Sequence, residues 1–253
     1  NIHLVFRDQI MSRNSNRFVP FLFEYEKPAN YLKEKYDAKI YTQKEFFEST
    51  CESLTSEDCV VVFIDCNEEY HEKLSKCKAK KVLRAVDPSK SDMILYKNSL
   101  AMHEKVRFDS FAICYPNLEH VQFLENKGIN VIVWPHSLDF KDSKDVMIKK
   151  GLWISAGQQH EEYYPSRWNL TQILLKHFSK QGTFLPHPGY DTENLIHPYV
   201  GEKFLELLAD YIFIPIGIGI NDGLHMKFVE AAYSNMLPIG TAPSYLPERI
   251  KSL

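Results

Sequence analysis

Short runs rich in β-branched and aromatic residues recur along the chain, separated by longer stretches in which apolar positions return every three or four residues. In the first half these runs lie at Ile2 to Phe6, Lys39 to Tyr41, Cys59 to Ile64, Lys81 to Val86, Phe111 to Cys114 and Val131 to Trp134. Helical periodicity fits between them, for example over Glu69 to Cys77 and Leu118 to Lys127. The alternation predicts βα units feeding a parallel sheet, because parallel neighbours need a crossover long enough to hold a helix. The pattern lapses through the polar stretch Lys141 to Lys150 and restarts at Leu152, which places a domain boundary at 140/141. A second series follows: strand Leu152 to Ser155, helix Ser166 to Phe178, strand Thr183 to Leu185, helix Gly201 to Ala209, strand Tyr211 to Pro215, helix Leu224 to Asn235 and strand Leu237 to Gly240. The expected class is α/β, with an N-terminal domain over 1–140 and a C-terminal domain over 141–253.

Composition narrows the function more than the fold. An apolar share of 44% with 25% charged residues, and 16 Phe with 14 Tyr, excludes a disordered chain. The formal net charge of -3 gives no broad positive field, so no nucleic-acid partner is expected. The densest basic run, Lys76 to Arg84, reads as a solvated helix end. No apolar run reaches the roughly 18 to 20 residues that cross a bilayer. The best, Tyr211 to Ile220, is broken by Pro215, so no membrane span is expected, while peripheral docking stays open. The five cysteines, at 51, 59, 66, 77 and 114, form no CxxC pair and have no zinc spacing. They read as core thiols of a protein in a reducing compartment, the cytoplasm. The chain opens on Asn1, and no targeting segment is read from it.

The segment with most chemical content is Gly217-Ile-Gly-Ile-Asn-Asp222-Gly223-Leu224-His225-Met-Lys227-Phe-Val-Glu230, a glycine-rich turn that joins a buried strand to a helix. Glycines let the backbone approach a ligand closely, and the free amides at a helix start favour a phosphate or diphosphate. Along that helix Lys227, Glu230 and Ser234 fall on one polar stripe among apolar faces. Two readings stay open: a stripe lining a cleft, or an exposed ion pair on an amphipathic helix. A dinucleotide fingerprint would want an acidic residue about 20 positions onward, after the next strand. Strand Leu237 to Gly240 ends in Thr241 instead, which argues against nicotinamide and flavin.

Position alone nominates further residues. Asp87 follows a strand where an α/β sheet presents groups to a ligand, as do Asp8, Arg13 and Arg17 after the first strand. His187 follows another strand and either flanks a ligand or packs its own loop, and His136 stands near the boundary. The sequence has no DxD, HExxH, GxSxG or GxxxxGK[ST] motif, so neither a metal nor another cofactor is expected.

Asp222 and Glu230 are separated by seven residues, and Phe228-Val-Glu-Ala-Ala-Tyr-Ser-Asn-Met-Leu-Pro-Ile-Gly240 resembles the EAxxxGxxPIG segment of GT-B glycosyltransferases with an E-x7-E motif, the CgeB-like group above all. Val133-Trp-Pro-His-Ser-Leu-Asp139 is similar to that family's interdomain linker, and Ser155-Ala-Gly157 with Tyr164-Pro165-Ser166-Arg167 to the first strand-loop-helix of its donor domain. The resemblance implies two Rossmann-like domains facing across a cleft, acceptor in the first and nucleotide-sugar in the second. It implies that Glu230 takes the donor ribose hydroxyls, with Asp222 standing where the family has its first Glu. Arg167 or Lys227 would offset charge on the leaving diphosphate, and Gly157, Gly223, Leu224, His225 and His187 would surround the nucleotide. Asp87 would act as base if the reaction inverts. The implied activity is metal-independent transfer of a sugar from a nucleoside-diphosphate-sugar to a hydroxyl of a glycan or other acceptor. A nucleotide-sugar 2-epimerase and a non-catalytic binding module of the same fold are the rival readings.

Overall fold

A computed structural model describes residues 1–7, 19–85, 96–114, 117–135, 149–187, 202–219, 222–223 and 225–246. A first compact unit takes Asn1–Ser15 and Tyr25–Pro135, and a second takes Asn16–Glu24 with everything from His136. The expected boundary at 140/141 lies outside the described residues.

Up to Pro135 the chain alternates β1 (Ile2–Phe6), α1 (Val19–Tyr36, of which the first unit holds the part from Tyr25), β2 (Lys39–Thr42), α2 (Gln43–Ser49), β3 (Cys59–Ile64), α3 (His71–Lys76), β4 (Lys80–Ala85), α4 (Lys97–Val106), β5 (Ser110–Ile113), α5 (Leu118–Glu125) and β6 (Asn130–Val133). The first unit's sheet is all parallel among the described residues, in the order β2-β1-β3-β4-β5-β6. The second unit runs β7 (Gly151–Ala156), α6 (Pro165–Phe178), β8 (Gly182–Leu185), α7 (Glu202–Ala209), β9 (Tyr211–Ile216), α8 (Met226–Tyr233) and β10 (Leu237–Gly240). Its four strands are also parallel, ordered β10-β9-β7-β8.

The apolar runs explain these sheets. A parallel strand covered by helices on both faces needs apolar residues at every position rather than at alternate ones. Val60 to Phe63 in β3 and all of β5 are buried accordingly. Local signals fix helix starts: Thr42 accepts from the Glu45 amide while Glu45 accepts from the Thr42 amide, Asn117 accepts from the Glu119 amide, and Pro165 opens α6. Two cores result. Phe46, Phe47, Leu74, Leu83 and Phe111 centre the first, and Ile154, Leu208, Ile214, Ile216 and Ala231 the second. Trp153 is wholly buried, its Nε1–H donating to the Phe178 carbonyl at 2.9 Å.

Three expected helices are shortened, and of these Leu118 to Lys127 ends at Glu125. Glu69 to Cys77 becomes a 3₁₀ turn, Glu68–Tyr70, followed by α3. The helix expected from Leu224 starts at Met226, because His225 stands extended at its N-cap (φ −66, ψ 158). Lys149 donates to the carbonyls of Ala209, the last residue of α7, at 3.0 Å and of Asn235, two residues past α8, at 3.1 Å. Cations suit the negative ends of helices, and here one ammonium serves two. Among the described residues no helix is long and apolar enough to cross a membrane, and all five cysteines are free thiols.

Strand order decides where a ligand can enter. From β1 the chain steps sideways to β2, then returns past β1 to β3 and continues in that direction. The second unit repeats the manoeuvre: β7 to β8, then back past β7 to β9 and β10. Right-handed crossovers then put the connections on opposite faces either side of each reversal, and the loops diverge there. Such a switch point, at the carboxyl ends of the strands, is where open α/β sheets take ligands. Arg7 and Asp65 follow β1 and β3 at the first switch point, and Gly157 and Gly217 follow β7 and β9 at the second.

Candidate functional site

Gly157 has φ +96, in the left-handed region that favours glycine. A Cβ there would come 3.1 Å from Arg167 Nη1 and 3.1 Å from Lys227 Cε, so the bare glycine is what lets two cationic side chains, from α6 and α8, reach the same strand end. A Cβ at Gly217 would meet the Arg167 amide nitrogen at 3.0 Å; the start of α6 therefore rests directly on the end of β9.

Arg167 is only 5% exposed, and its guanidinium carbon lies 3.9 Å from the centre of the Tyr164 ring. That geometry is a desolvated cation–π contact. Lys227 Nζ donates to Glu230 Oε2 at 2.5 Å and sits 4.4 Å from the Phe204 ring centre. The two side chains keep 20% and 13% exposure, a part-buried pair on neighbouring turns of α8. With little water nearby, these charges act on a neighbour more strongly than surface charges do.

The glycine-rich loop is tied down by side chains. The Ile218 amide donates to Thr241 Oγ1 at 3.2 Å, and that oxygen lies 3.2 Å from Ser166 Oγ, joining the ends of β9 and β10 to the start of α6. The Gly219 amide donates to His225 Nε2 at 2.9 Å, which leaves the ring proton on Nδ1. A side chain at 219 would crowd that ring, since its Cβ would lie 2.9 Å from Nε2. Two amides of the glycine-rich turn are thus used inside the loop. Asp222, at φ 50, accepts from the Ser244 amide at 2.9 Å and from the Ser244 hydroxyl.

Of the expected residues, Gly157, Arg167, Lys227 and Glu230 come together, with His225 and Gly223 in the adjoining loop. Asp222 serves the 222–244 tie, and His187 follows the edge strand β8. Asp87 and Leu224 lie outside the described residues, as do Asp8, Arg13, Arg17 and His136. The polar stripe ends at Glu230, because Ser234 is buried and donates to the Leu205 carbonyl at 3.1 Å. Ser166, Thr241 and Ser244 escaped sequence reasoning: each is an ordinary hydroxyl whose partner lies 22 to 75 residues away. Among the described residues no three His, Cys, Asp or Glu side chains gather as a metal site.

No protein-family model and no curated protein matches the sequence. Solved structures do. A trehalose-6-phosphate synthase, OtsA, matches over 88% of this chain and 67% of its own, with a TM-score of 0.50 at 8% identity. The fold is that of the GT-B glycosyltransferases. The pneumococcal O-GlcNAc transferase GtfA, solved with UDP and GlcNAc, matches over 80% of this chain with a TM-score of 0.48 at 13% identity. The chain spans only 45% of that GtfA chain and 50% of one solved as a GtfA/B complex. At such identities the likeness concerns the fold alone, and the narrower CgeB-like resemblance finds no counterpart in it.

Proposed function

We propose that this chain transfers a sugar from a nucleoside-diphosphate-sugar to an acceptor hydroxyl, with the donor in the second unit and the acceptor in the first. One observation carries the reading: Arg167 and Lys227 converge on Gly157 at the second switch point, with the Glu230 carboxylate beside them. The fold shared with a trehalose-6-phosphate synthase supports the class of reaction.

In the transfer, the acceptor oxygen forms a bond to the anomeric carbon while the bond from that carbon to the diphosphate oxygen breaks, the electron pair leaving with the diphosphate. The hydroxyl proton goes to a base, the role given to Asp87 if the reaction inverts. The charge that grows on the diphosphate is met by Arg167 and Lys227, in the way fixed cations lower a barrier without reorganising solvent. Glu230 keeps Oε1 beside its Lys227-bound Oε2, and a carboxylate oxygen accepts the proton of a ribose hydroxyl. Two cations in this place make a divalent ion unnecessary, and metal independence is part of the proposal. The five free thiols accord with a cytoplasmic setting.

Incubation with a panel of nucleotide-sugars, with and without candidate sugar acceptors, tests this. Acceptor-dependent release of nucleoside diphosphate, undiminished by EDTA, is expected. Conversion of the donor without any acceptor would replace the reading by an epimerase. Absence of nucleotide binding across the panel would remove it.

A further inference from the structure

The first unit has its own opening at its own switch point. A cavity of about 630 Å³ lies beyond β1 and β3, lined among others by Arg7, Asp65, His71, Lys97 and Met102. Its size is that of a small-molecule site. Ile64, the last residue of β3, has φ 74, a conformation that a β-branched side chain rarely adopts. The Asp65 amide donates back to the Phe63 carbonyl at 2.9 Å, closing a tight reverse turn that delivers Asp65 to the Nε of Arg7. This ion pair is neither sealed nor at the surface: the two side chains keep 33% and 34% exposure. Burial pushes the Asp65 carboxyl upward, against the pull of the Arg7 charge.

The chemistry of the lining selects among ligands. Many phosphate sites are built from glycines that let amides close in, and here the residues that follow the two strands are Arg7 and Asp65 instead. Of the three cations in the lining, Arg7, Lys97 and Lys105, two are held in ion pairs within the cavity wall, Arg7 by Asp65 and Lys105 by Glu68 at 3.1 Å. A carboxylate accepts hydrogen bonds from hydroxyls and repels phosphate, while a guanidinium donates to hydroxyl oxygens. Ile64, Ala101 and Met102 add apolar surface of the kind that meets the C–H face of a sugar ring. His71 Nε2 donates to the Cys66 carbonyl at 2.9 Å and holds the loop after Asp65 in place.

We infer that this cavity binds an uncharged, hydroxyl-rich ligand of mono- or disaccharide size through Asp65 and Arg7, and that this ligand is the acceptor. The second half of the statement rests on the glycosyltransferase reading; the first does not.

Titrating the full chain with glucose, maltose, glucose 6-phosphate and UDP, followed by amide shifts and calorimetry, tests it. Glucose or maltose is expected to move the amides of Asp65, Cys66 and Asn98. Asp65→Asn is expected to weaken that binding at least tenfold while the affinity for UDP stays within twofold of wild type. Arg7→Gln is expected to act in the same direction, so that one variant failing to fold leaves the other to decide. Glucose 6-phosphate binding ten times more tightly than glucose, and more tightly still to Asp65→Asn, would overturn the inference in favour of an anion site. UDP binding without any response to the neutral sugars would overturn it and leave the transferase reading standing. Asp65-dependent sugar binding with no nucleotide binding would uphold the cavity and remove the transferase reading.

Discussion

The two units build the same topological reversal and furnish it in opposite ways. At the second, the strand ends are the glycines 157 and 217, and the emptiness left by their missing side chains is occupied by Arg167 and Lys227 brought in on helices. At the first, the strand ends are Arg7 and Asp65, which supply the chemistry themselves around an open cavity. A strand-end glycine suits a polyanion, since it admits cations and amides together. A strand-end carboxylate suits hydroxyls. The contrast teaches that one architecture, used twice, divides its labour through the residue immediately after each central strand.

Arg167→Ala offers the harshest way to break this comparison. Removing one fixed donor from a developing charge lowers turnover by roughly 100- to 1,000-fold in well-studied sites. A loss of that order in kcat is expected, with Asp65-dependent sugar binding unaffected. A change of less than about fivefold would show that the cations of the second unit are structural.

Glu230→Ala comes next. Losing a hydrogen bond from a ribose hydroxyl to a carboxylate costs about 2 kcal/mol, which is roughly 30-fold in affinity. Calorimetry with UDP should show that weakening, while the loss of the Lys227 partner lowers the thermal midpoint of the UDP-free chain as well. Retention of full affinity would detach Glu230 from the nucleotide.

Gly157→Ala sharpens the picture further. The added methyl meets Arg167 and Lys227 at 3.1 Å each, at a φ that costs an L residue about 1 kcal/mol. Nucleotide affinity should fall by about tenfold, and the thermal midpoint by a few degrees, both read in one thermal-shift series with and without UDP. An alanine variant that binds normally would mean that the two cations need not approach this strand end.

The βα alternation was legible because parallel strands buried on both faces are apolar nearly throughout: Cys-Val-Val-Val-Phe-Ile at 59–64 and Phe-Ala-Ile-Cys at 111–114 announce themselves without a partner strand in view. The second site was half legible. Glycine-rich turns and a carboxylate eight residues past Asp222 are local features, whereas the use of the Gly219 amide by His225, and of Asp222 by Ser244, depends on loop closure that no spacing rule encodes. Ser234 matched the polar stripe by period yet turned inward to the Leu205 carbonyl, because a buried hydroxyl next to a helix end finds its partner in the neighbouring element. The first site was not legible, since strand order is not written in periodicity. Arg7 and Asp65 are 58 residues apart, and only the return of the chain past β1 makes β1 and β3 neighbours.

The claim on which the rest depends is that the second switch point holds a nucleotide. Photolabelling the intact chain with 5-azido-UDP, followed by peptide mapping, asks this directly. The account predicts label on peptides from the 157–167 or 217–230 region, displaced by excess UDP. Displaceable label confined to peptides before Pro135 would contradict it.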